Sequence, residues 1–200
     1  MFRLYFTDYQ HMVTRIILTG GPGAGKTTVL ETLAGLGYAC SEEVSRRLIR
    51  EEVAAKSDCL PWKNLACFAG KCLGEMEKDH HRATGLTFFD RGIPDIVAYL
   101  KAGGQPVAAA CHEALARCEY HSEVWIAPPW EAIYQQDDER WQTFPEAVRL
   151  YEHISETYLS LGFRLRELPF SSPEERAGII LQALGITAIP AAGSRNRPDS

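Results

Sequence analysis

The feature that most constrains the fold is a glycine-rich segment near the start of the chain, which reads Gly20-Gly21-Pro22-Gly23-Ala24-Gly25-Lys26-Thr27. It matches the pattern G-x-x-x-x-G-K-[ST] and is followed by Thr28. Residues 13–19, just before it, are rich in β-branched side chains and are typical of a buried strand. The pattern from residue 26 onward indicates a helix. A strand, a glycine-rich loop and a helix in this order predict a loop whose backbone amides surround phosphate groups.

Each part of this loop has a chemical reason. Glycines let backbone N–H groups approach phosphate oxygens, and the start of the helix presents a partial positive charge to the same anion. We expect Lys26 to bridge the β- and γ-phosphates and the Thr27 hydroxyl to ligate Mg²⁺. The residues predicted to bind the nucleotide, ATP or GTP, are Gly20, Gly21, Gly23, Ala24, Gly25, Lys26, Thr27 and Thr28.

Strands alternate with helices along the rest of the chain. The predicted strands cover residues 13–19, 38–40, 86–90, 123–127 and 163–168. The predicted helices cover residues 26–36, 42–55, 61–82, 95–101, 108–119, 145–161 and 173–184. This alternation predicts an α/β fold, in which a parallel sheet of about five strands is covered by helices on both faces. One domain is expected over residues 13–189. Residues 1–12 are predicted to be an arm, with Met12 as an alternative start, and residues 190–200 a disordered tail.

Two glutamates follow the second predicted strand. If a helix begins there, Glu43 and Arg46 lie one turn apart and face the same cleft, where ligands of this fold class bind. A carboxylate beside a transferred phosphoryl group can accept a proton from an acceptor hydroxyl, and an arginine can hold substrate charge. Glu43 is therefore the candidate base, and Glu42, Glu43 and Arg46 are candidate substrate contacts. The pattern leaves open that Glu42 is the base, or that the acids only begin an exposed helix.

A second acid and arginine end the third predicted strand. Asp90 in this position can hold Mg²⁺ directly or through water, and Arg91 beside it can reach a phosphate. Gly92 lets the backbone approach closely, and Asp95, which opens the next helix, is a further candidate substrate contact. The alternative is that Asp90 caps the strand and pairs with Arg91.

The polar segment over residues 131–143 is predicted to be a small lid. An arginine on such a segment can close over the nucleotide and stabilise the γ-phosphate. Arg140 is the first candidate for this catalytic role, and Arg149 is the second. An exposed charged loop explains the segment equally well.

Charge and cysteine content exclude other classes of protein. The net charge is −5, from 26 acidic and 21 basic residues, which argues against a general nucleic-acid binder. The apolar runs are far shorter than the ~20 residues of a membrane span. The six cysteines form no C-x-x-C pair, and the chain begins with no signal-peptide pattern. We therefore expect free thiols in a reducing, cytoplasmic setting.

Two groups of histidines and cysteines could in principle bind a metal or carry a functional charge. Cys111, Cys118 and His121 are spaced along one helical face, but an apolar stripe explains that face more simply than zinc, which prefers four ligands at tighter spacing. His80 and His81 end a helix, where a positive charge suits the helix dipole.

Five segments together resemble a known family. They read GGPGAGKTT, EEVSRR, FFDRGIPD, DDERW and LGFRLRELPFSSPEERAGIIL. In this combination the chain resembles the NadR-like AAA-domain family of P-loop proteins over about residues 13–185. That family takes its name from the ribosylnicotinamide-kinase domain of NAD-biosynthesis regulators. The order of acids and arginines after the second and third strands also looks like that of deoxynucleoside and nucleotide kinases.

The resemblance implies a P-loop NTPase fold of kinase type, with a five-stranded core and a small lid, that binds ATP or GTP with Mg²⁺. The residues it implies are Gly20, Gly25, Lys26 and Thr27 for the nucleotide, Glu43 and Arg46 for the acceptor, Asp90 and Arg91 for metal and phosphate, and Arg140 for the lid. No counterpart of a nicotinamide pocket can be identified in the sequence, so the acceptor is left open.

Two functions follow as hypotheses. The first is a Mg²⁺-dependent phosphotransferase that moves the γ-phosphoryl group of ATP to a hydroxyl of a small, nucleoside-like metabolite. Lys26, Glu43, Asp90, Arg91 and Arg140 are its predicted catalytic residues. The alternative is a nucleotide-dependent switch, an ATPase or GTPase that acts through a protein partner.

Overall fold

The centre of the fold is a buried strand, β1 (Thr14–Gly20), with parallel neighbours on both sides. The structure is a computed structural model and describes residues 13–134 and 143–186. Four further strands complete the sheet: β2 (Ala39–Cys40), β3 (Leu86–Asp90), β4 (Glu123–Ala127) and β5 (Arg164–Glu167). Their order is β2-β3-β1-β4-β5, and all neighbouring pairs are parallel. The predicted five-stranded parallel sheet is therefore confirmed.

Helices connect the strands. They are α1 (Lys26–Gly35), α2 (Val44–Ala54), α3 (Leu65–Arg82), α4 (Ile93–Ala102), α5 (Ala109–Arg117), α6 (Phe144–Ser160) and α7 (Pro173–Ala183), and a short 3-10 helix (Glu131–Ile133) follows β4. Within these described parts of the chain, no helix combines the length and the apolar character needed to cross a bilayer.

Side chains of β1 alternate between the two faces of the sheet. Ile16 and Leu18 pack with α1 and α7 on one face, and Ile17 packs with α4 and α6 on the other. All three are at most 1% exposed. Burial of an aliphatic side chain contributes about 1.5–3 kcal/mol, so helices cover both faces, as the β-branched run of this strand predicted.

A third apolar cluster joins α2, α3 and α5 to α4. Six of its buried members also line the cavity described below, namely Ile49, Phe68, Ala69, Cys72, Met76 and Ile96. The packing that stabilises these helices therefore also shapes one wall of that cavity.

The predicted boundaries differ from the structure by two residues or more at the start of three helices. The second helix was expected from residue 42 and begins at Val44, because Glu43 is in an extended N-cap conformation. The next was expected from residue 61 and begins at Leu65, where the side chain of Asn64 accepts a hydrogen bond from the N–H of Cys67. The fourth begins two residues earlier than expected. The predicted arm and tail, and most of the predicted lid, lie outside the described residues.

The cysteines correct one expectation. Cys59 and Cys67 form a disulfide, with their Cα atoms 5.4 Å apart, so the prediction of free thiols throughout is wrong for this pair. The two cysteines are eight positions apart and do not form a C-x-x-C pair. They meet because the segment after α2 folds back onto the first turn of α3. The other four cysteines, at positions 40, 72, 111 and 118, are free. A reducing, cytoplasmic setting stays a prediction.

Gly20 ends β1 where a side chain has no room, so Gly20→Ala is expected to destabilise the fold. Its φ is +132°, and a Cβ would lie 2.3 Å from the carbonyl oxygen of Ala127. We expect a loss of more than about 2 kcal/mol, which lowers the melting temperature by about 5 °C or more. Gly178→Ala in α7 is the control, because a Cβ there meets nothing within 4 Å, and it should melt no lower than the wild type. Equal melting of both variants would contradict this account.

Candidate active site

The glycine-rich loop joins β1 to α1 and folds around Lys26. Its Nζ donates hydrogen bonds to the backbone carbonyls of Gly20 (3.1 Å) and Gly21 (2.8 Å). Gly25, the residue before α1, has a φ of +78°, which favours glycine. No side-chain cap hydrogen bond forms at the start of α1, and the first amides of a helix have no partner within it. The loop therefore has the features of an anion site.

The positive charge of Lys26 is destabilised by its surroundings. The residue is 5% exposed, and this burial, together with the positive charge of Arg91, lowers its pKa to about 8. The carboxylates of Asp90 and Glu43 oppose the shift. A phosphate beside Nζ would favour the charged form, so binding of a nucleotide would relieve this cost.

A cavity of about 1130 Å³ opens beside the loop. Residues 22–28 line one part of it, and side chains of α2, α3 and α4 line another. That second part is mostly apolar and includes Ile49, Phe68, Cys72, Met76, Ile96 and Tyr99. Single small-molecule sites usually occupy about 300–1,000 Å³, so the cavity has room for a nucleotide and a second molecule.

Glu43 lines the cavity with its carboxylate held by two arginines. Oε1 lies 3.3 Å from Nε of Arg91 and accepts a hydrogen bond from the Ser45 hydroxyl at 3.1 Å, and Oε2 lies 3.2 Å from Nε of Arg46. Burial raises the pKa of Glu43, but the charges of Arg91, Lys26 and Arg46 outweigh it and hold the pKa at about 2. The carboxylate is therefore ionised at neutral pH and oriented.

Arg91 connects this carboxylate to the glycine-rich loop. Its guanidinium also donates from Nη1 to the carbonyl of Gly20 at 2.8 Å, and it lies over the ring of Tyr99, 5.4 Å from the centroid. Arg91 is 5% exposed and has a φ of +70°, which is uncommon for a residue with a side chain. Such backbone conformations persist where the surroundings enforce them and concentrate at functional sites.

Asp95, in the first turn of α4, contacts Arg91 and is 2% exposed. It accepts hydrogen bonds from the hydroxyls of Thr19 and Tyr158 and, at 2.9 Å, from the N–H of Gly92. It also lies 3.4 Å from Nη1 of Arg91. Both carboxylate oxygens therefore have partners within the protein and help to position Arg91. Asp95 also lines the cavity described above, so its contact with substrate stays a prediction.

Asp90 ends β3 and has an unsatisfied oxygen. Its N–H donates to the Ser41 hydroxyl at 3.0 Å, whereas Oδ1 is buried without a hydrogen-bond partner. Burial and the Glu43 carboxylate raise the pKa of Asp90 to about 6, against the opposing effect of Lys26 and Arg91. Mg²⁺ prefers carboxylate and hydroxyl oxygens near phosphates, so the chemistry of this orphaned oxygen and of the exposed Thr27 hydroxyl suits the predicted metal. Thr27 lines the cavity, whereas Asp90 is not among its lining residues.

The pH dependence of stability should report the buried carboxyl of Asp90. A folded pKa of about 6 above an unfolded value of about 3.9 means that stability falls as pH rises from about 4 to about 6. Asp90→Asn should therefore stabilise the nucleotide-free protein by roughly 2 kcal/mol more at about pH 7.5 than at about pH 4.5. Thermal melting at both pH values measures this. The exposed Asp58→Asn serves as control, and a pH-independent effect of Asp90→Asn would refute the assignment.

The other predicted residues are distributed as follows. Arg46 is half-buried and lines the cavity, whereas Glu42 is exposed and borders a separate, smaller depression. The structure thus brings Glu43, and not Glu42, together with the glycine-rich loop. Arg140 lies outside the described residues, so its role stays a prediction. Arg149, the second candidate for the lid arginine, is on α6 and lines the cavity.

A protein-family model described as an AAA domain (AAA_28) matches residues 15–176. The chain belongs to this AAA-domain family. The match covers the glycine-rich loop, both acid–arginine pairs and the sheet, and confirms the resemblance that the motifs indicated. A comparison with curated proteins gives no match.

Several solved structures share the fold of this AAA-domain protein. Shikimate kinase from Acinetobacter baumannii in complex with shikimate has a TM-score of 0.59 at 20% identity, covering 87% of this chain and 94% of its own. Deoxyadenosine kinase from M. mycoides with bound dATP has a TM-score of 0.61 at 14% identity, with coverages of 86% and 99%. NadR in complex with NR has a TM-score of 0.67 at 14% identity, over 92% of this chain.

These comparisons establish the fold. The AAA-domain protein spans about half of the NadR chain, 55%, and nearly all of each of the two other kinases. The predicted P-loop fold of kinase type is confirmed.

Arg176 of the AAA-domain protein is a site residue that the sequence did not indicate. It is 1% exposed, donates from Nη1 to the carbonyl of Ala24 (2.9 Å) and from Nε to that of Pro169 (2.8 Å), and lies over the ring of Trp130. It thereby ties the glycine-rich loop to the segment before α7. No local pattern marks it, because its partner in the loop is 152 positions away.

Proposed function

We propose that this AAA-domain protein transfers the γ-phosphoryl group of ATP or GTP to a hydroxyl group of a small, nucleoside-like metabolite, with Mg²⁺ as cofactor. One observation carries the proposal. Glu43, an ionised carboxylate held by Arg91 and Arg46, lines the same cavity as the glycine-rich loop and an apolar pocket. A protein that only bound or hydrolysed a nucleotide would not need a pocket of this size beside an oriented carboxylate.

The glycine-rich loop supports binding of the triphosphate. No side chain caps the first amides of α1, so these amides and those of the loop are able to bind an anion. Lys26 adds a positive charge, which the carbonyls of Gly20 and Gly21 hold in position. When the phosphates arrive, Nζ of Lys26 exchanges these carbonyls for phosphate oxygens, which increase in negative charge during transfer.

The metal would be held by Asp90 and Thr27. Mg²⁺, when bound, neutralises charge on the β- and γ-phosphate oxygens. The protein's part is to supply the unpaired Oδ1 of Asp90 and the hydroxyl of Thr27. Asp90 is ionised at neutral pH despite its raised pKa of about 6.

Glu43 would accept the proton of the acceptor hydroxyl. In the free protein its pKa of about 2 makes it a weak base, because Arg91, Lys26 and Arg46 stabilise its charge. Phosphates that engage Lys26 and Arg91 compete for those charges, so the pKa of Glu43 rises toward its usual range and proton transfer becomes easier. Arg91 then stabilises the transferring group, and positioning supplies much of the rate.

The acceptor would occupy the part of the cavity between α2, α3 and α4. Phe68, Met76 and Ile96 offer apolar contacts, and Tyr99 an aromatic one, which suits a ring carried on a polar, hydroxylated unit. Structures of the same fold contain shikimate or NR, and a small metabolite in this cavity agrees with those occupants.

A panel of nucleosides and ribosides tests the proposal. Each compound is added to the protein with ATP or GTP and Mg²⁺, and release of the nucleoside diphosphate is followed. We expect at least one compound to raise the rate about tenfold or more over the rate without acceptor. A rate that no acceptor changes would overturn the proposal in favour of a nucleotide-dependent switch.

A further inference from the structure

A cluster of metal-ligand side chains lies at the ends of two helices, outside the cavity. His80 and His81 are in the last turn of α3, and Cys118 follows α5 directly. One ring nitrogen of each histidine and Sγ of Cys118 all lie within 4.8 Å of one another. None of the three residues lines the cavity described above, so phosphoryl transfer does not account for the cluster.

His80 presents an unsatisfied nitrogen. The residue is 4% exposed, and its Nε2 lies 2.8 Å from the carbonyl oxygen of Glu119. A carbonyl only accepts, so Nε2 carries the proton and Nδ1 is the nitrogen with a lone pair. Nδ1 is buried and has no hydrogen-bond partner. A buried acceptor without a partner is destabilising, and a metal ion would satisfy it.

A hydrogen bond also fixes the tautomer of His81, but with the proton on the other ring nitrogen. Its Nδ1 lies 2.6 Å from the carbonyl oxygen of Glu77, so Nδ1 carries the proton and Nε2 has the lone pair. Histidines that bind metals almost always donate their other N–H to a carbonyl or carboxylate, which fixes the ring and its tautomer. His80 and His81 both make this second hydrogen bond.

We propose that His80, His81 and Cys118 form a zinc site, with water as the fourth ligand. Two imidazole nitrogens and a thiolate are a donor set that Zn²⁺ favours and Mg²⁺ does not. Ligand atoms around tetrahedral zinc are about 3.5 Å apart, so ligand atoms that lie up to 4.8 Å apart need to approach one another by at most about 1.3 Å. The thiol of Cys118 releases its proton to solvent as the Zn–S bond forms.

The bound metal would tie the end of α3 to the end of α5. Near the other end of α3, Phe68 and Cys72 line the proposed acceptor pocket. We therefore expect zinc to stabilise the wall of the cavity while taking no part in the transfer itself.

Zinc affinity of the full chain tests the site. Metal-free protein is titrated with Zn²⁺ against a chromophoric chelator, and we expect one tightly bound equivalent. Cys118→Ser and His81→Ala should each weaken binding by about a hundredfold. Cys111→Ser, which changes a buried free cysteine outside the cluster, should bind as the wild type does. His81 is exposed, so its variant should fold even if a change at His80 does not.

Co²⁺ in place of Zn²⁺ provides a second readout. A thiolate ligand gives an absorption band with Co²⁺, and that band should be present in the wild type and in Cys111→Ser and absent in Cys118→Ser. The proposal would be overturned if the wild type bound no equivalent, or if Cys118→Ser bound zinc as tightly as the wild type. Loss of binding in Cys67→Ser but not in Cys118→Ser would also overturn it, because it would place the metal at the reduced Cys59–Cys67 pair.

Discussion

Replacing Lys26 with alanine is expected to abolish the thermal stabilisation that nucleotide and Mg²⁺ confer on the protein. At a nucleotide concentration about a hundredfold above Kd, the wild type should gain about 2.7 kcal/mol, which raises its melting temperature by roughly 5–10 °C. The variant should gain none of this, because the γ- and β-phosphates lose the cation that the carbonyls of Gly20 and Gly21 position. Turnover should fall by about a thousandfold.

The control for this experiment is Lys78→Ala. Lys78 is an exposed lysine of α3 that pairs with Glu75 and does not line the cavity. Its variant should keep the full nucleotide-induced shift, and both variants should remain folded without nucleotide. A Lys26→Ala protein that is stabilised by nucleotide as strongly as the wild type would refute the phosphate-loop assignment.

Replacing Glu43 with glutamine is expected to lower acceptor-dependent turnover by about a hundredfold to a thousandfold while nucleotide affinity changes by less than about threefold. Glutamine keeps the shape of the side chain, and its amide oxygen can still accept a hydrogen bond from one of the two arginines, but it cannot take up the proton. Rates measured at saturating nucleotide and acceptor, together with nucleotide affinity from thermal shifts, separate the two effects.

Glu42→Gln is a matched control at the adjacent position. The side chain of Glu42 is exposed and lies outside the cavity, so this variant should turn over at the wild-type rate. If Glu42→Gln lost activity and Glu43→Gln did not, the assignment of the base would be reversed. If neither lost activity, general-base catalysis by this pair of acids would be wrong.

The glycine-rich loop and the sheet could be predicted because their signals are local. The β-branched run, the positions of the glycines and Lys26 are contiguous in the sequence, and each has a steric or electrostatic reason at its own position. The parallel arrangement of the strands followed from their alternation with helices, whereas the order of the strands in the sheet was not predicted. The same logic placed Asp90 and Arg91 at the end of β3.

The rest of the site depends on contacts between distant segments. The start of α2 at Val44 decides that Glu43 faces the cavity and Glu42 does not, and helix boundaries are the least predictable feature of a sequence. The hydrogen bonds of Asp95 could not be predicted, because its partners Thr19 and Tyr158 are 76 and 63 positions away. The hydrogen bond between Arg176 and the carbonyl of Ala24 in the glycine-rich loop could not be predicted either, because the two residues are 152 positions apart.

The fate of a labelled γ-phosphoryl group tests the central claim most directly. Labelled ATP or GTP is incubated with the protein, Mg²⁺ and the acceptor that most stimulates turnover, and the products are separated. The proposed transfer predicts that most of the label appears as a phosphate ester of the acceptor, and that Glu43→Gln loses this product while Glu42→Gln keeps it. Label found only in inorganic phosphate, at a rate that the acceptor does not change, would contradict the account.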